Sequence, residues 1–161
     1  GTVEGSYQYV LLGPSEEFFI TEGVNGAWAN FETLGQGQLM EVFPDSNQLF
    51  SAWFTWDTTQ PDPGEMAQVG DPNHRWLTAQ GTYDGSQADL VIYNAKGGLF
   101  DQALPAPELE AIGTIFLQFE NCKSGIVSYD LPGLGLSGDI PIQRLAPDNV
   151  AACEAQAYTS D

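Results

Sequence analysis

The chain has 161 residues, 42% hydrophobic and 12% aromatic, which fits one globular domain with a sizeable core and argues against disorder. Its 22 acidic residues are set against only Arg75, Lys96, Lys123 and Arg144, a formal net charge of −18. That balance argues against nucleic acid, whose binding needs a cationic footprint, and disfavours an anionic membrane surface. No stretch approaches the ~18 apolar residues of a membrane helix.

Residues 1–23 read as an N-terminal extension and residues 24–161 as a β-barrel domain with a C-terminal disulfide-linked segment. Within the extension, Ser6–Leu12 and Glu17–Thr21 have strand composition, separated by Gly13 and Pro14. Tyr7, Tyr9, Val10, Leu11 and Leu12 form a candidate assembly strand, which could complete its own barrel or add to an edge of a neighbouring copy.

After Asn25 and Gly26, strands are expected near 26–31, 36–43, 48–57, 75–83, 87–94, 112–120, 125–131 and 137–145. The links Pro44–Asn47, Asp84–Ser86 and Asn121–Ser124 carry the Gly and Asx residues that tight hairpins need. Alternation is direct in the third strand: Phe50, Ala52, Phe54 and Trp56 share one face, opposite Ser51, Trp53 and Thr55. In the sixth, Ile115, Leu117 and Phe119 oppose Thr114, Gln118 and Glu120. In the seventh, Val127, Tyr129 and Leu131 oppose Ile126, Ser128 and Asp130. Period-two alternation marks half-buried antiparallel strands. The fold class is therefore all-β, an antiparallel up-and-down barrel of about eight strands, with a two-sheet β-sandwich as the alternative. Two long connections interrupt the meander, Thr58–His74 and Gly97–Ala111. Helix is expected only at Leu104–Ala111 and, more weakly, Pro147–Ala157.

Cys122 and Cys153 form an even pair in a Lys-poor chain, which points to a disulfide and an oxidising compartment. The bridge would close a loop of about 30 residues, contributing roughly 3–4 kcal/mol in the chain-entropy model. With the start at Gly1, which reads as a processed N-terminus, this gives an exported protein: secreted, cell-surface or periplasmic.

Catalytic constellations are sparse. His74 is the only histidine and lies in a turn-like Asp71-Pro72-Asn73-His74. Gly133–Gly138 (GLGLSG) has only a superficial likeness to a nucleophile elbow and reads as a hairpin. Among strand carboxylates, Glu41, Glu120 and Asp130 would have to sit about 5–10 Å apart across a cleft for glycosidase work. A non-catalytic role is expected, with no required cofactor.

Asp57, Asp62, Glu65, Asp71 and Asn73 lie on or beside the Pro/Gly-rich Thr58–His74 loop and offer the oxygen donors that calcium takes, without an EF-hand pattern. The alternative is a solvated acidic loop. Trp28, Trp53, Trp56 and Trp76 could line a calyx. Trp53 with Thr55, and Trp76 with Thr78 and Gln80, mix aromatic and polar groups on one strand face, suited to a small apolar ligand or a glycan. Ordinary packing explains them equally.

Some residues carry a resemblance. Gly26-Ala27-Trp28-Ala29-Asn30, Gly35-Gln36-Gly37, Leu49–Asp57, Trp76–Gly81 and Ile140–Leu145 occur in that order. The series, over residues 26–145, resembles a group of exported bacterial β-rich repeat domains, which implies the fold and export but no activity. The Thr58–His74 loop stands where that group has a short turn. A weaker resemblance is to avidin-like and lipocalin-like barrels, which open with a similar G-x-W. It implies that Asn30 contacts a ligand. Gln87–Asn94 has no Trp and none follows Trp76, which argues against biotin. Together these readings give a structural or adhesive module of a cell-surface or extracellular assembly, such as a filament subunit whose partner is a second copy. The alternative is a small-molecule or glycan-binding barrel using the tryptophans.

Overall fold

The structure, a computed structural model, describes residues 17–158. The expected assembly strand Tyr7–Leu12 lies outside them. Eight antiparallel strands run in sequence order round a closed barrel: β1 Gly26–Ala29, β2 Gly37–Phe43, β3 Gln48–Trp56, β4 His74–Asp84, β5 Gln87–Lys96, β6 Glu108–Phe119, β7 Ser124–Leu131 and β8 Leu136–Arg144. The up-and-down barrel is therefore the fold, not the sandwich. One short helix follows, α1 Val150–Glu154, after a 3-10 turn at Pro147–Asn149, inside the weaker of the two expected helical segments.

Side-chain alternation sets inside and outside. Gln38, Met40 and Val42 of β2, Leu49, Ser51 and Trp53 of β3, and Ala88, Leu90 and Ile92 of β5 point in and are buried. So do Ile115, Leu117 and Phe119 of β6. Two hairpins share one device. Pro44–Ser46 and Pro132–Leu134 each make a 3-10 turn that begins on proline and is closed by a left-handed residue, Asn47 (φ 52°) and Gly135 (φ 63°). Proline fixes the entry φ, and Asn or Gly accepts the positive φ at the exit. At Gly81 of β4 a Cβ would lie 1.8 Å from the carbonyl oxygen of Asp89, so only glycine lets β4 and β5 approach this closely.

Two sequence expectations are corrected. Leu104–Ala111 is not helical: Glu108–Ala111 starts β6 and pairs with Tyr93–Lys96, so the long connection is confined to 97–107. Pro105 and Pro107 cannot donate helical hydrogen bonds, and β5 offers an edge that takes the main chain instead. Glu17–Thr21 is not a strand. It keeps one isolated bridge, Phe18 to Tyr158, with hydrogen bonds from Phe19 N to Ala157 O (2.8 Å) and Ile20 N to Gly85 O (2.7 Å).

These last contacts close one end of the barrel. Phe18, Ile20 and Val24 plug it, with Phe18 packed on Phe119 and Tyr158 at centroid distances of 6.1 and 5.7 Å. Cys122 and Cys153 form the expected disulfide, tying the β6–β7 turn to α1 across 31 residues. Arg144 knots the layers together. It is only 8% exposed and stands 4.6 Å over the Trp28 ring. It donates to the carbonyl oxygens of Cys122 (2.9 Å), Asn25 (3.0 Å) and Gly23 (2.7 Å). Trp28 in turn donates from Nε1 to Val24 O at 2.9 Å. No helix among the described residues is long and apolar enough to cross a membrane.

The seam is short. β1 meets β8 only at Trp28–Arg144 and Ala29–Gln143, because the chain leaves β1 after Ala29 for a 3-10 turn at Phe31–Thr33. From Leu136 to Ile142, β8 has β7 on one side and no strand among the described residues on the other.

Candidate functional site: a cup at the open end

Among the described residues the opposite end has no plug of this kind. A cup of about 350 Å³ opens there, walled by Leu77, Ile112, Leu131 and Ile140, with Trp53 and Tyr129 as an aromatic corner. The two rings stand 5.8 Å apart, tilted by 58°. Alternation places each wall residue. Trp53 continues the inward row Leu49, Ser51, and Leu77 is two residues before buried Ala79. Tyr129 lies between inward Val127 and Leu131. Ile112 enters by a β-bulge. Ile92 pairs with Gly113 and Tyr93 with Ala111, so β6 carries one extra residue, and that residue lines the cup. The Tyr129 ring lies over Gly138, where a Cβ would come within 3.1 Å of its hydroxyl. Below the cup Ser51 Oγ donates to Gln38 Oε1 at 3.2 Å, a buried polar pair satisfied internally.

The rim is polar. Thr55 Oγ1 donates to Gln36 Oε1 at 2.8 Å. Arg75 pairs with Asp57 and also donates to the carbonyl oxygens of Pro72 and His74. Asp57 accepts from Thr58 N at 2.8 Å. That backbone bond, with the Arg75 charge, holds the Asp57 carboxyl below the ordinary carboxylate value, partial desolvation acting against them. Trp56 also lines the mouth of the cup and packs against His74 there, ring centroids 4.8 Å apart. Asn94, two residues past buried Ile92, reaches the cup from β5.

The expected ligand residues fall into three places. Trp53 and Thr55 belong to the cup. Trp28 lies in the closed end, fully buried among Phe119, Val24 and Arg144. Asn30 caps the Phe31–Thr33 turn, accepting from Glu32 N at 2.9 Å, and lines a side cleft of about 260 Å³ between the end of β1 and β8. Trp76, Thr78 and Gln80 face outward on β4, with Trp76 56% exposed beside Phe54. No single lining unites the set. Leu77, Asn94, Ile112, Tyr129, Leu131 and Ile140 were absent from it. The alternation in β4 and β7 points to Leu77, Tyr129 and Leu131, but a bulge residue such as Ile112 leaves no periodic trace.

Of the expected cation ligands, Asp57, Asp62, Glu65 and Asn73 line one shallow depression of the 57–73 loop, together with Arg75. Asp71 is used locally, accepting from Asn73 N at 2.8 Å. Asn73 Oδ1 is buried without a hydrogen-bond partner among the described residues. No group of three or more His, Cys, Asp or Glu side chains among the described residues is arranged to hold a metal ion.

The cup can enclose an apolar body and hydrogen-bond its polar end. No family model, curated protein or solved structure matches the chain.

Proposed function

We propose that this is an exported, non-catalytic barrel that binds a small amphipathic molecule in the cup. The observation that carries the reading is the unfilled interior at one end. Barrels of eight strands are just wide enough to be filled by side chains or to hold one small ligand. Here plug residues and the disulfide fill one end, while at the other the described residues leave about 350 Å³ of mainly apolar space open. That volume is at the lower end of the roughly 300–1,000 Å³ typical of small-molecule sites. The test is titration with 1-octanol, followed by tryptophan fluorescence and by NMR shifts of β4, β7 and β8 amides. Saturable binding lost in Ile140→Trp, which fills the cup, supports the reading. Absence of saturable binding, or binding untouched by Ile140→Trp, refutes it.

A second reading is a self-assembling structural or adhesive module of the cell surface, favoured by the edge of β8 from Leu136 to Ile142, which has no partner strand on one side among the described residues. Exposed edges invite strand addition. Main-chain alternation puts Pro141 on this edge: Leu145 N reaches Ala27 O of β1 whereas Arg144 N reaches Lys123 O on the β7 side. Odd-numbered residues therefore face the open side, and proline without an N–H limits how far an added strand can pair. Light scattering and negative-stain microscopy of the full chain and of a chain lacking residues 1–13 test it. Assembly that depends on those residues supports it, and a monomer in both samples removes it.

A further inference from the structure

Building on the cup reading, we infer that its occupant is an uncharged amphiphile whose hydroxyl, carbonyl or amide group is held by Asn94 and Tyr129. The argument is an account of which polar groups around the cup are already used. Among the described residues Arg75 is the one cationic side chain that lines it, and three protein oxygens, of Asp57, Pro72 and His74, accept from its guanidinium. Asp57 is the one carboxylate among the described residues that lines it, and it is taken by Thr58 N–H and Arg75. Thr55 Oγ1 donates to Gln36 Oε1, and the Gln36 N–H₂ that this bond leaves over is a neutral donor, not a charge. A carboxylate entering the cup would find no unpaired cation, and an ammonium no unpaired carboxylate. Either would lose its hydration without a compensating charge, which costs far more than burying a neutral group that finds a hydrogen bond.

Two lining groups stand apart. Among the described residues, neither the Asn94 amide nor the Tyr129 hydroxyl joins any of the hydrogen bonds that occupy the rest of the rim. Both can donate and accept. An alcohol, ketone or amide matches them, and its hydrocarbon part meets Leu77, Ile112, Leu131 and Ile140. The overall charge of −18 works in the same direction against anions, by repelling them before they reach the mouth.

The experiment compares three probes of one chain length, 1-octanol, octanoate and octylammonium, on the whole protein at pH 7. It is run at about 0.15 M and about 1 M NaCl, where the screening length falls from roughly 8 to 3 Å. We expect 1-octanol to bind at least tenfold more tightly than either ion at both salt concentrations. Asn94→Ala and Tyr129→Phe should each weaken 1-octanol by about fivefold, the loss of one neutral hydrogen bond, and leave 1-chlorooctane unchanged. Octanoate or octylammonium binding as tightly as 1-octanol overturns the inference. So does a preference that vanishes in 1 M salt, which would assign it to net charge rather than to the cup. If none of the three probes binds, the cup is not a ligand site, and it is the proposed function that fails.

Discussion

At one end of the barrel the interior is filled by residues from outside the strands. Phe18, Ile20 and Val24 enter from the N-terminal side, Cys153 and Ala157 from the C-terminal side; Arg144 ties the first group to the β6–β7 turn, and the Cys122–Cys153 disulfide ties the second. At the other end the same eight strands run out into exposed connections, 57–73 and 97–107, and Trp53 is the last large side chain directed inward from β3. The difference shows how one closed sheet divides stability from binding. Interior positions are equivalent by alternation, and what separates the ends is whether flanking segments return to cover them.

The contrast can be broken most severely at the closed end. Trp28→Ala removes a fully buried ring together with its bond to Val24 O and its contact with Arg144, and should cost about 4 kcal/mol in urea unfolding. Opening the disulfide with Cys122→Ser and Cys153→Ser together should cost roughly 3–4 kcal/mol, from the loop of 31 residues it closes. Arg144→Met keeps much of the volume but leaves the carbonyls of Gly23 and Cys122 without their buried donor, and about 2–3 kcal/mol should be lost. These three variants, while folded, should bind 1-octanol as the parent does.

Open-end changes should show the reverse. Leu77→Ala shortens a half-buried wall residue and should cost only about 1 kcal/mol of stability while weakening 1-octanol several-fold. If Leu77→Ala destabilised as much as Trp28→Ala, the two ends would not be distinct. The smallest effect is electrostatic. The folded-state pKa of Asp57 lies below its ordinary value, so the contribution of its ionised form is complete at neutral pH. It is lost only as the pH falls below the ordinary carboxylate range and through the lower folded value. The Asp57 carboxyl carbon shift should therefore be constant from pH 7 to 5 and move only at more acid pH. In Arg75→Ala its midpoint should rise.

Much of the barrel was legible because alternation is a local property. The strands expected near 36–43, 48–57, 87–94 and 125–131 coincide with β2, β3, β5 and β7 to within two residues at either end, and the Pro44–Asn47 turn has the chemistry it needs. Which face turns inward was not legible on β3. Aromatic residues occupy both rows, Phe50, Phe54 and Trp56 on one and Trp53 on the other, and hydrophobicity alone could not choose. The same ambiguity placed outward-facing Trp76 beside Trp53 in one candidate site. Glu108–Ala111 was misjudged because its partner, Tyr93–Lys96, is distant in sequence and supplies the pairing.

By itself, then, the sequence determined what depends on neighbours along the chain: period-two strands, proline- and glycine-bearing turns, a cysteine pair and an acidic surface. The tertiary structure decided what depends on closure. Wrapping β8 onto β1 selected the inner face and drew Phe18 and Cys153 into one end. The bulge turned Ile112 into the cup. These outcomes are set by contacts between residues far apart in the chain, whose free energies no local pattern contains.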